Sequence, residues 1–367
     1  MVGKRRRGLQ YQVEVIDDWS DSPALQGDWD RLAEAKGFWF PFVSYQWFDC
    51  WYPAFCVEGN ARIVVIRRDG DVVGIVPGVM GRRRIGPITV NEFSYAANGL
   101  TPYVSFLFED DLYGDAKLLL QIDEALSGEI ELLNVPAIET TGQDWRFISR
   151  GQEGFTNVYE EHRFPSLYVG MPDGFPAFLS GCSTSFRKSF NCTKRKANKQ
   201  YEVATEEVRL TNQSALHRLQ RLSAKTWQEQ NGSGLFSEKY RDFFMKLFGK
   251  SSTDFSVSFL KFGESDVAFN CFYIRDNTFV GYKIGYDPSF AKLRPGELLK
   301  YEIYPFACEH GVTLFHLLGE ANESKRHWAT GSNDFVNSWL FSKRHLKSLL
   351  LEKGLRARKT IKERMEG

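Results

Sequence analysis

Short runs of β-branched apolar residues separated by glycine turns pattern the first half of the chain. Ile63, Val64, Val65 and Ile66 lie between Arg62 and Arg68, Asp69-Gly70 supplies a turn, and Asp71 to Met80 returns with Val72, Val73, Ile75 and Val76. This pattern predicts a β-hairpin. Helical spacing marks Gly27 to Gly37, followed by an aromatic stretch from Phe38 to Phe55. Strands are expected at Ile88 to Phe93 and Val104 to Phe108, a helix at Tyr113 to Leu126, and a buried strand at Ile130 to Val135. The second half repeats this grammar. Phe255 to Phe262, Val267 to Arg275 and Phe279 to Tyr286 read as an antiparallel meander. A helix from Pro295 to His310, closed by Gly311, and a buried strand Val312 to Leu318 follow. Pro305 is expected to kink or shorten that helix. Internal repetition of this kind points to duplication. The boundary falls near Phe164-Pro165, giving domains 1–165 and 166–367.

Composition narrows the class. A chain of 367 residues exceeds one ordinary domain, and 43% hydrophobic with 25% charged residues is a globular balance. The formal net charge is +1, so no global field draws the protein to DNA or to an anionic membrane. Cys50, Cys56, Cys182, Cys192, Cys271 and Cys308 form no CxxC pair, and no histidine cluster has ligand spacing. Neither a metal site nor a disulfide framework is expected. Lys4-Arg5-Arg6-Arg7 resembles a signal-peptide start, but the residues after it are charged and too short for an apolar segment. No apolar run is long enough to span a bilayer. A cytoplasmic protein with reduced thiols is expected.

Several markers stand in order along the second half. They are Ser185-Phe186-Arg187-Lys188-Ser189, then Trp227 with Gly232-Ser233-Gly234-Leu235-Phe236, then Gly285-Tyr286-Asp287-Pro288 leading to Arg294-Pro295-Gly296, and last Gly319-Glu320 with Lys325-Arg326-His327-Trp328. In this order they resemble GNAT-superfamily acetyltransferases similar to cellulose-biosynthesis proteins, distant relatives of the FemAB peptidyltransferases. In the first half, Phe42-Val43-Ser44 with Trp47, and Asn98-Gly99-Leu100 with Tyr103, share the resemblance. Relatives often carry acids beside that tyrosine where this chain has Pro102 and Ser105. The resemblance implies an α/β (α+β) tandem GNAT-like fold. Each half would hold a mixed, mostly antiparallel sheet flanked by helices.

The residues suggest where chemistry would sit. Arg294, Pro295, Gly296, Glu297 and Leu298 open a helix after a strand. Backbone N–H groups at such an end face outward and favour a pyrophosphate, although a plain Pro-Gly helix start is the alternative. Lys325 is a further candidate for holding the cofactor, acetyl-CoA or another acyl-CoA. Attack of an amine on a thioester needs a base and stabilisation of the acyl oxygen. Glu320 is the candidate base, pairing with Lys325 being the alternative; Tyr286 and Asp287, at the end of the third strand, are further catalytic candidates, since a tyrosine hydroxyl could protonate the leaving thiolate. Tyr282, Trp227 and Phe236 are candidate acceptor contacts. The helix Ser183 to Tyr201 bears Arg187, Lys188, Lys194, Arg195, Lys196 and Lys199 without an intervening acid. It could meet phosphate on a substrate or the acidic face of an acyl carrier protein, or simply be solvated. The histidines fall in no nucleophile motif, and His316 reads as an interior residue. No serine-hydrolase elbow, dinucleotide fingerprint or P-loop is present. The resemblance implies direct acyl transfer to a small amine, with an amino sugar of polysaccharide or envelope synthesis as a candidate acceptor. Aminoacyl-tRNA is the less expected donor, and a non-catalytic scaffold is the competing class. The leucines of the C-terminal tail, Leu346, Leu349, Leu350 and Leu355, predict a helix packed on the body or lying on a membrane or partner surface.

Overall fold

A computed structural model describes residues 11–250 and 254–366. The basic run Lys4 to Arg7 lies outside them. The chain forms two compact units, Met1–Phe164 with Asp334–Gly367, and Pro165–Asn333.

The first unit begins with β1 (Gln12–Ile16), α1 (Gln26–Glu34), α2 (Phe40–Val43) and α3 (Tyr45–Phe55). It continues through β2 (Ala61–Arg68), β3 (Asp71–Ile85), β4 (Ile88–Tyr95), β5 (Leu107–Phe108), α4 (Leu118–Ala125), β6 (Leu132–Glu139) and α5 (Gln143–Ser149). The β2–β3 turn has positive φ at both Asp69 and Gly70, the twist a two-residue hairpin requires. Gly78 is obligatory in β3, because a Cβ there would come within 2.3 Å of the Phe93 ring. Sheet order is β1-β2-β3-β4-β6, with β5 on β3. All neighbours are antiparallel except β4 and β6, which run parallel. The aromatic stretch forms the core, with Trp29, Phe42, Trp47 and Phe48 fully buried.

The strand expected over Val104 to Phe108 shrinks to two residues. The Asp144 carboxylate explains this by accepting from the Ser105 hydroxyl at 2.7 Å and the Phe106 N–H at 2.9 Å, which takes that segment off the ladder. The helix expected from Tyr113 starts only at Leu118, after a 3-10 turn over Asp110–Gly114.

The chain passes into the second unit within β7 (Tyr159–Gly170). There follow α6 (Gly174–Gly181), α7 (Thr184–Gln200), β8 (Val203–Arg209), α8 (Gln213–Ser223), α9 (Trp227–Gln230) and α10 (Arg241–Gly249). The meander is β9 (Ser256–Phe262), β10 (Ser265–Arg275) and β11 (Thr278–Tyr286). Then come α11 (Pro295–Glu309), β12 (Leu314–Glu320) and α12 (Glu323–Arg326). Sheet order in this unit is β7-β12-β11-β10-β9-β8, with β11 and β12 as the parallel pair. The unit's core gathers Phe186, Leu298, Tyr301, Tyr304, Phe315 and Trp328 between the sheet and α7 and α11. Helix α11 runs its full 15 residues through Pro305, so the kink or shortening expected there did not end it.

The chain returns through β13 (Gly331–Phe341) and ends in α13 (Leu346–Glu366). From Asp334 onward it belongs to the first unit, not to the 166–367 domain read from the sequence. The reason is pairing: Phe335 to Phe341 lies antiparallel to β6. Helix α13 packs with Leu351 and Leu355 against Val90, Leu132 and Phe341, while Leu346 and Leu350 are exposed. The buried stripe thus differs from the expected one.

Candidate active site

The second unit is built around a divergence of two parallel strands. β11 and β12 pair at only three positions, Thr278 with Leu314, Phe279 with Phe315, and Val280 with His316. Beyond these they separate, and both contain the cause. In β12, Leu318 and Gly319 have φ of 47° and 57°, and the register against β7 slips between His316 and Glu320. A left-handed leucine is costly and persists only where its surroundings fix it. In β11, Gly281 faces Phe272 and Lys283 faces Cys271, leaving Tyr282 as an extra residue, a β-bulge. A bulge releases one residue from the ladder and turns the strand.

Three basic side chains meet near this divergence. The Lys325 ammonium donates to the carbonyl oxygens of Leu318 and of Glu320, the latter at 2.9 Å. Burial lowers the Lys325 pKa, Lys300 lowers it further, and Glu320 opposes both. Half-buried Lys283 is pushed down to about 8, chiefly by burial and also by the Lys325 charge. His316 is held at about 4 by burial and then by Lys325, so its ring is neutral at pH 7. Its Nδ1 accepts from the Leu318 N–H at 3.3 Å.

The start of α11 faces the mouth of the divergence. Asp287 caps a 3-10 turn over Pro288–Leu293, and Arg294, at φ 51°, redirects the chain into the helix. The Arg294 guanidinium donates to Ser189 Oγ on α7 at 2.7 Å. A cavity of about 160 Å³ lies here, lined by Ser189, Lys196, Lys292 and Arg294 among others. A Cβ on Gly296 would meet only Tyr286 and Ile284, at 3.8 and 3.9 Å, so its outer side is open. Positive side chains and a helix N-terminus together form an anion-binding geometry.

Several residues singled out from the sequence are otherwise employed. Glu297 accepts from Trp328 Nε1 at 2.6 Å, Ser324 Oγ at 2.9 Å and Lys300 Nζ at 3.0 Å. Burial alone would raise its pKa, but Lys300 and these donors bring it below the usual value. A carboxylate so engaged organises the first turn of α11. Leu298 is fully buried, and Pro295 is buried at the helix start. Asp287 accepts from Ser289 N–H at 3.0 Å and pairs with Lys225 at 3.1 Å. Burial pushes its pKa up, the Ser289 and Lys225 hydrogen bonds outweigh this, and the net value is lowered, which suits a cap better than a base. Tyr282 is buried against Phe244 and Phe255, and burial raises its pKa well above the ordinary value. Arg187 donates to the carbonyls of Ser180 and Cys182, tying α6 to α7. Lys194 pairs with Glu302 at 2.9 Å.

Others stand near the mouth. Gln228 of α9 donates to the Ile284 carbonyl at 3.2 Å, which brings exposed Trp227 beside the end of β11. Phe236 is half-buried, and its N–H donates to Glu229 at 3.3 Å. Tyr286 is half-buried against the core, Glu320 is exposed at the end of β12, and Lys188 is exposed on α7. Lys283 and Lys292 were not identified from the sequence, whereas Lys196 belongs to the basic helix already singled out. The one local signal was Lys283, a charge inside an otherwise uncharged strand.

Comparison with known proteins bears on the fold. The family model described as an acetyltransferase (GNAT) domain matches residues 184–326, within the second unit. That unit therefore carries a GNAT-type domain. Three solved structures resemble nearly the whole chain. A conserved protein of unknown function from Bacteroides thetaiotaomicron is 11% identical, with 90% of this chain and 100% of that one covered and a TM-score of 0.57. FemX is 11% identical, with 92% and 99% covered and a TM-score of 0.55. A tandem GNAT protein from the clavulanic acid biosynthesis pathway is 11% identical, with 91% and 98% covered and a TM-score of 0.50. At these identities the likeness is one of fold. No curated protein matches the sequence. Among the described residues no cluster of His, Cys, Asp and Glu could hold a metal, and no helix is long and apolar enough to cross a membrane.

Proposed function

We propose that the second unit transfers an acyl group from an acyl-CoA, acetyl-CoA in the simplest case, directly to an amine. The observation that carries this reading is the divergence of β11 and β12 beside a helix N-terminus ringed by Arg294, Lys196 and Lys292. The thioester supplies an activated carbonyl and a thiolate leaving group. Arg294, Lys196, Lys292 and the Gly296 N–H bind the diphosphate of the donor, and open space over Gly296 admits it. The backbone released at the Tyr282 bulge offers a hydrogen bond to the acyl oxygen as negative charge develops there. Lys325, fixed on the carbonyls of Leu318 and Glu320, holds the strands apart. Lys283, its pKa lowered to about 8, accepts a proton from the attacking amine, and exposed Glu320 passes it to solvent. Tyr286, beside Gly296, is the proton donor for the departing thiolate. Trp227 and Phe236 flank the acceptor, for which an amino sugar of polysaccharide or envelope synthesis is the candidate. Holding both substrates together supplies much of the rate.

A carrier-bound donor is the second reading, favoured by the cations Lys188, Arg195 and Lys199 exposed on α7. Calorimetry with acetyl-CoA, longer acyl-CoAs and free CoA tests the first. Binding by the wild type that Gly296→Glu abolishes supports it. Failure of every CoA species to bind overturns it and favours the carrier, tRNA or scaffold alternatives.

A further inference from the structure

The first unit contains a second divergence that the transfer reaction does not use. β4 and β6 run parallel and pair only at Glu92 with Leu132, Phe93 with Leu133, and Ser94 with Asn134. β6 then bends as β12 does: Ala137 has φ 44°, and the register against β13 slips between Val336 and Ser338. The opening leads to a cavity of about 250 Å³ whose wall includes Arg83, Ser94, Asn98, Asn134, Asn337 and Trp339.

This cavity is unsuited to a diphosphate. The crossover helix α4 packs against β1, and Asp115 just before it accepts from the Tyr11 hydroxyl at 2.6 Å, so its N-terminus lies at the far edge of the sheet. The charge of Arg83 is answered by Glu92 at 2.7 Å, and the other ionic lining residue is Glu161, an acid. What remains is neutral and bifunctional. Asn134, only 8% exposed, donates to Ser94 Oγ at 3.1 Å, and Asn337 accepts from the Ala137 N–H at 2.9 Å. Carboxamides and hydroxyls both give and accept hydrogen bonds, as sugar hydroxyls do. Trp339, stacked with Tyr159 at 5.9 Å and with Arg83 5.5 Å from its ring, is held in place as the apolar part of the wall. The volume falls below that of pockets for drug-sized ligands, about 300–1,000 Å³, and suits one ring.

We infer that the β4–β6 divergence of the first unit is a binding site for a single neutral sugar ring, such as a hexose or an N-acetylhexosamine. This site is independent of acyl-CoA binding in the second unit. The test is saturation-transfer NMR and calorimetry on the full chain with glucose, N-acetylglucosamine and, as a neutral amide-bearing arm, pantetheine. The wild type is expected to bind at least one of the two sugars saturably. Ala97 also lines the cavity, so Ala97→Phe, which fills it, and Asn134→Leu, which removes the carboxamide, should each weaken that binding about tenfold or more. Gly296→Glu should leave it unchanged. The inference is overturned if neither sugar binds the wild type, if pantetheine alone binds, or if sugar binding survives Ala97→Phe in a variant whose melting temperature matches the wild type.

Discussion

The Lys325 ammonium lies 2.9 Å from the main-chain oxygen of Glu320 and also donates to that of Leu318, so one side chain from α12 satisfies two carbonyls of the bent strand β12. Both residues lie beyond the three positions at which β12 pairs with β11. Lys325→Met would leave them without this donor, at about 1–3 kcal/mol. The expected result is a lower melting temperature together with at least a roughly tenfold loss of kcat, since the strand separation relaxes. Retained kcat with lowered stability would reduce Lys325 to a structural strut.

The proposed role of Lys283 as the base predicts a pH signature for the transfer. Its value near 8 means that the neutral amine becomes the major form as pH rises through about 8. The rate is expected to climb over that interval, and Lys283→Met should remove the inflection. The same shift links to stability. Between about 8 and the ordinary lysine value the unfolded chain binds the proton and the folded chain does not, so stability increases with pH there.

His316 acts at the acid end. Folded, it titrates near 4 rather than near 6.5, so between these values the unfolded state takes up a proton that the native state refuses. Stability should therefore fall as pH drops from about 6.5 to 4, by up to about 3 kcal/mol from this residue. Denaturant midpoints at pH 7 and pH 5 measure it, and His316→Leu should lessen the difference between them.

Glu297 offers the strongest purely structural test. Its loss would leave the Lys300 ammonium buried, with the Trp328 indole N–H and the Ser324 hydroxyl short of their acceptor. Glu297→Ala is expected to destabilise the protein by about 3–5 kcal/mol. A change below about 1 kcal/mol would contradict the role assigned to this carboxylate.

The β2–β3 hairpin was legible because its information is local. Ile63 to Ile66, the Asp69-Gly70 turn and Val72 to Val76 specify a hairpin without reference to the rest of the chain. Arg294 to Leu298 was legible for the same reason, since a proline and a glycine after a strand mark a helix start. What the sequence concealed depends on distant partners. Glu297 and Trp328 meet across 31 positions, and the six cations of α7 read as uncompensated because Glu302 lies on another helix. Tyr282 was read as an acceptor contact, and the bulge that leaves it extra in β11 could not be seen because it depends on the register with β10. Lys283, Lys325 and His316 come from three separate elements, and no spacing rule connects them.

The first unit is interrupted: Phe335 to Phe341, which closes its sheet against β6, is synthesised after the whole of the second unit. On a ribosome adding about 5–20 residues per second, domains usually mature from the N-terminus onward. Here the order is reversed. The second unit has all of its strands while β6 still waits for its partner, so the exposed strand edge during translation belongs to the half made first. A stop codon after Asn333 would spare every residue of the proposed transfer site and still leave the first unit with an unfinished sheet.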